Sequence, residues 1–132
     1  MVKKLLVIIG GLLNVAWGIA HLFPTLSVVK GFGDISMDNQ RIILMEWINE
    51  GFTLIFIGLL VFFMTVFNKK NSRANKIVYM AAAIMLFSMA VLSLFTGFRI
   101  DFIPFKLCPL IFIGSGLLIM QGAFRKGAGE DS

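Results

Sequence analysis

A chain of 132 residues has room for one domain, and its 58% hydrophobic content and mean hydropathy of +0.92 exceed what soluble globular chains show, which points to an integral membrane protein. The net charge of +5 is clustered between apolar runs and forms no basic face with interleaved aromatics, so nucleic acid is excluded as a partner. Cys108 is the single cysteine, which excludes an intramolecular disulfide, a CxxC redox pair and a multi-cysteine metal site.

Four apolar runs, 5–23, 42–67, 77–97 and 103–124, each supply the roughly 20 helical residues that cross a hydrocarbon core about 30 Å thick. They predict an all-α fold, a single four-helix transmembrane bundle. The first run follows Lys3 and Lys4 and carries a small-x-small step at Gly18-Ile19-Ala20, as a signal peptide does. It continues through Leu22 and Phe23, however, and Asn14, Trp17 and His21 share one helical face, which favours a retained span. On the same stripe Gly10, Asn14 and Gly18 allow close approach of another helix, within the bundle or in a homo-oligomer.

The connector 24–41 has enough apolar residues to rest on the helix ends, and Ser36 or Asp38 is placed to cap the second helix. Lys30-Gly31-Phe32-Gly33 lacks the spacing of a phosphate loop. In the second run Glu46, Asn49, Glu50 and Thr53 fall at i, i+3, i+4 and i+7, one side of a helix in an otherwise apolar segment. An ionisable side chain in a bilayer costs a few kcal/mol or more, so it is normally turned inward, paired and tied to function. The third run ends at Ser93, Thr96 and Gly97, followed by Arg99 and Asp101. Pro104 and Pro109 predict a kink or a late start in the fourth. The tail 127–132 is short and polar.

Lysines and arginines set the expected orientation, because cytoplasmic loops retain positive charge. Lys3, Lys4, Lys69, Lys70, Arg73, Lys76, Arg125 and Lys126 fall on one side, against Lys30, Arg41, Arg99 and Lys106 on the other. Both termini are expected in the cytoplasm of a multi-pass cell-membrane protein, and eight against four argues against dual topology. At 1.5 Å per residue, Glu50 then lies about 6 Å below Glu46, between the levels of His21 and Asn14. The expectation is a polar pocket in the outer half of the bundle, formed by His21, Glu46, Asn49, Glu50, Asn14, Trp17 and Thr53, with Arg41, Arg99, Asp101 and Thr96 at its rim.

Like charges one helical turn apart make a poised acid or base, and His21 adds a side chain that titrates near neutrality. The same residues also suit a purely structural role, pairing to hold helices in register. His21, Glu46 and Glu50 have the chemistry of metal ligands, but the second histidine or Glu-x-x-His step of a di-metal bundle is missing, so no metal is assigned. No cofactor is indicated and no catalytic residue is assigned.

The Asn14-to-His21 stripe, with Glu46-Trp47-Ile48-Asn49-Glu50-Gly51 and the four spans, resembles small prokaryotic membrane proteins of the broad DoxX-like group. That resemblance covers the whole chain in architecture. It implies a four-helix bundle, sometimes associated with respiratory or sulfur-redox membrane complexes, and fixes no activity. The leading expectation is therefore a protein that binds a small amphipathic or lipid-like molecule, or serves as accessory subunit of a membrane complex. A proton-coupled small-molecule transporter, a membrane isomerase or redox accessory enzyme, and a structural subunit are the alternatives.

Overall fold

Apolar segments fold as helices because a helix satisfies each interior N–H and C=O within the segment, with no water required. The computed structural model describes residues 2–68, 72–98, 101 and 103–124. The regular elements there are α1 (Val2–Leu22), α2 (Thr25–Gly31), α3 (Met37–Phe67), α4 (Arg73–Thr96) and α5 (Ile103–Met120). Three of them, α1, α3 and α4, are long and apolar enough to cross a membrane, which makes this a membrane protein whose regular elements among the described residues are all helices. The fourth apolar run forms the shorter α5, which has Pro109 in its interior.

Polar residues outside the apolar runs extend two helices beyond the limits that hydropathy suggests. Ser36 Oγ accepts from Asn39 N at 3.3 Å, so α3 starts at Met37 rather than near Ile42. Asp38 takes the first turn, where the helix dipole favours negative charge. Ser72 does the same for α4 by accepting from Asn75 N at 3.3 Å. Within the connector, α2 packs on α3 and buries Val28. Gly33 follows at φ +70°, a conformation that side chains rarely adopt.

The packing order is α3, α1, α5, α4, with α1 between two neighbours. Two glycine pairs, Gly11 with Gly58 and Gly18 with Gly51, bring the α1 and α3 backbones together. A Cβ on Gly58 would lie 2.5 Å from Gly11 O, and one on Gly18 would lie 2.8 Å from Gly51 O. Between the pairs, the buried Asn14 donates from Nδ2 to Leu54 O at 3.3 Å. Gly10 turns the other way, and its carbonyl accepts from Ser115 Oγ of α5 at 2.8 Å. The small-residue stripe is thus used inside the chain.

α3 and α4 are tied at their hairpin end and have little contact otherwise. Thr65 Oγ1 donates its single proton to Val61 O at 2.6 Å, so Tyr79 O–H is the donor across the 3.0 Å contact to Thr65 Oγ1. Asn68 Nδ2 also donates to Asn75 Oδ1 at 3.1 Å. Tyr79, Thr65 and Asn75 are all buried, so this polar clamp is held where its alternative is an unpaired group. Leu54, Val61, Leu86, Phe112 and Ile119 fill the core around it. Outer positions such as Phe52, Phe56, Ile84, Val91 and Phe95 are exposed, an apolar surface of the kind that suits contact with lipid.

Candidate functional site

At the end away from the Thr65–Tyr79 clamp, the weak contact between α3 and α4 leaves a cavity of about 600 Å³, within the size range of small-molecule sites. α3 supplies Glu46, Trp47, Asn49, Glu50 and Thr53, and α1 supplies His21. α4 contributes Met85, Met89, Leu92, Ser93 and Thr96, while Phe105 and Cys108 come from α5 and Val28 and Phe32 from the connector. Exposed Glu46 and Asn49 on one side, and Leu92 and Thr96 on the other, place the mouth between α3 and α4.

His21 is 6% exposed and is held on more than one side in the wall. Its ring stacks on Trp47 with centroids 3.8 Å apart and planes 18° from parallel. Trp47 meets Phe105 edge-on, with centroids 5.4 Å apart and an interplanar angle of 72°. Trp47 Nε1 donates to His21 O at 2.9 Å, satisfying one of the last carbonyls of α1, which have no partner within the helix. Thr25 Oγ1 serves Leu22 O in the same way at 2.6 Å. One tryptophan therefore ends α1, joins it to α3 and fixes the His21 ring.

His21 Nε2 lies 3.6 Å from Glu50 Oε2, a charge-pair distance beyond hydrogen-bond reach, and it is a buried polar atom with no hydrogen-bond partner. The Glu50 side chain is 35% exposed, so its carboxylate faces both the histidine and the cavity. Glu46, one turn toward the mouth, is exposed. The two carboxylates and the imidazole thus sit on one wall with hydrogen-bonding capacity unused between His21 and Glu50. Such a wall can accept protons or hydrogen bonds from a polar group in the cavity.

Other residues expected at the site are placed elsewhere. Asn14 and Trp17 do not line the cavity; Asn14 is between α1 and α3, and Trp17 is packed against the apolar core. Each retains a buried atom without a partner, Asn14 Oδ1 and Trp17 Nε1. Arg41 is exposed and lies 3.8 Å from Asp38, and Asp101 pairs with Lys106 at 3.2 Å. Neither Arg41 nor Asp101 lines the cavity, and Arg99 lies outside the described residues. Thr96 does line it, with its hydroxyl donating back to Leu92 O at 2.7 Å. Among the described residues, no group of three or more His, Cys, Asp or Glu is arranged to hold a metal ion.

Fold and site together define a helical membrane protein with a histidine and two carboxylates in the wall of a cavity. Comparison with protein-family models, with curated proteins and with solved structures found no match to this chain.

Proposed function

We propose that the chain is a multi-pass protein of the cell membrane, with α5 as a fourth span and both termini cytoplasmic, that binds a small amphipathic or lipid-like molecule in the cavity between α3 and α4. The observation carrying this reading is His21, which is buried in the cavity wall with Nε2 unpartnered and 3.6 Å from Glu50. A buried polar atom without a partner costs about 1–3 kcal/mol, and a ligand group in the cavity would remove that cost. Glu50 and His21 take the polar end, Glu46 and Asn49 orient it from the mouth, and Met85 and Met89 receive the apolar part. A mouth between two helices suits a ligand arriving from lipid.

Native mass spectrometry of the gently extracted protein tests this reading. Wild type is expected to carry a co-purifying small molecule that Glu50→Gln and His21→Ala both lose. An empty wild type, with variants that only dissociate or unfold more easily, would favour the purely structural role. Orientation is tested separately by a cysteine placed at Asp34 in a Cys108→Ser background. It is expected to react with a membrane-impermeant maleimide in intact cells, and protection of that site until lysis would reverse the assigned topology.

A further inference from the structure

We infer that the cavity selects an amphiphile with an ammonium head, a non-phosphorylated long-chain primary amine, an inference that rests on the amphiphile-binding reading above. The cavity wall carries the carboxylates of Glu46 and Glu50, and no lysine or arginine among the described residues lines it. The nearby cations Arg41 and Lys106 face their own carboxylates, Asp38 and Asp101, outside the lining. A phosphate, sulfate or carboxylate head would enter against the two carboxylates with no lysine or arginine among the described residues lining the cavity to receive it. An ammonium head would meet opposite charge in a site with reduced access to water, where such pairing is strengthened.

His21 independently points to an N–H donor. Its Nε2 is buried, unpartnered and 3.6 Å from Glu50 Oε2. In the neutral tautomer that leaves Nε2 unprotonated, both atoms are acceptors. A nitrogen about 2.9 Å from each, admitted by a rotation of the partly exposed Glu50 side chain that uncovers Nε2, can donate one proton to the imidazole and another to the carboxylate. A hydroxyl head has only one proton to give and so satisfies one of the two. The alkyl chain then lies along Met85 and Met89, against flexible thioethers that tolerate different chain shapes.

The test uses the full chain in phosphatidylcholine nanodiscs and titrates decylamine, decanol and decanoate by calorimetry, with empty nanodiscs as the blank. Decylamine is expected to bind at least about tenfold more tightly than decanol, the size of a charge-assisted hydrogen bond, and decanoate is expected not to bind. Glu50→Gln should remove the preference for the amine, while an unfolding midpoint matching that of wild type shows separately that the variant is folded. Equal affinity for amine and alcohol, or binding of decanoate, would overturn the ammonium assignment and leave the amphiphile-binding reading intact. Binding of none of the three would overturn both. Phosphatidylethanolamine added to the nanodiscs should leave decylamine affinity unchanged; competition by it would assign the ammonium to a lipid head and overturn the free-amine source.

Discussion

Gly58→Ala is expected to destabilise the protein by about 1–3 kcal/mol, although alanine is the better helix former by about 1 kcal/mol. The added Cβ would stand 2.5 Å from Gly11 O and 2.9 Å from Val15 N. Both are backbone atoms of α1, so no rotamer change relieves the contact and the helices must separate. Gly51→Ala should cost less, because its shortest contact, also 2.5 Å, is with the flexible Leu22 side chain. Gly114→Ala is the control: nothing lies within 4 Å of its Cβ, so helix propensity acts alone and the change should be neutral or stabilising. Unfolding in mixed micelles of increasing dodecyl sulfate content ranks the three variants. Equal behaviour of Gly58→Ala and Gly114→Ala would mean that the α1–α3 glycine contact does not set the interhelical distance. A separated α1 would also move His21 away from Trp47 and Glu50, so Gly58→Ala should weaken ligand retention from a position that does not line the cavity.

The polar side of α3 was legible in the sequence because Glu46, Asn49, Glu50 and Thr53 stand at helical spacing against an apolar background, and all four line the cavity. The corresponding stripe on α1 was less informative. Asn14, Trp17, Gly18 and His21 share a face in sequence terms, yet α1 has two neighbours, and small changes in register decide which residue meets which. Gly18 meets α3, Gly10 meets α5, and His21 reaches the cavity, while Trp17 packs into the core. A single helical pattern does not contain its neighbours' positions. Arg41 illustrates a local competitor: Asp38, one turn away on the exposed start of α3, is a nearer partner than the cavity.

The apolar part of the cavity was not legible at all. Met85, Met89, Phe105 and Cys108 line it, but methionine and phenylalanine in a spanning helix serve equally against lipid, against protein or around a ligand. What distinguishes them is that α3 and α4, clamped at Thr65 and Tyr79, have little other contact, a property of packing rather than of residue type. The caps show the opposite case. Ser36 and Ser72 each lie three residues before the asparagine whose N–H they accept, a local signal that survives whatever the tertiary context.

Trp47→Ala is expected to have the largest effect at the site, a loss of about 3–5 kcal/mol together with loss of the bound molecule. The indole is 7% exposed and combines three contacts: the stack on His21, the edge contact with Phe105, and the hydrogen bond that serves the α1 C-terminus. Trp47→Phe separates them. A phenyl ring can keep an aromatic surface against His21 but has no N–H, so His21 O loses its donor at a cost of about 1–3 kcal/mol for a buried carbonyl. If ring packing dominates, Trp47→Phe retains most of the stability and the ligand that Trp47→Ala loses. If the hydrogen bond dominates, the two variants fall together, because an unsatisfied helix end at α1 lets the last turn carrying His21 fray. Unfolding midpoints combined with native mass spectrometry distinguish these outcomes. A Trp47→Ala protein as stable and as loaded as wild type would remove the basis for treating the His21–Trp47 stack as the frame of the site, since Glu50 would then face a histidine positioned by something else.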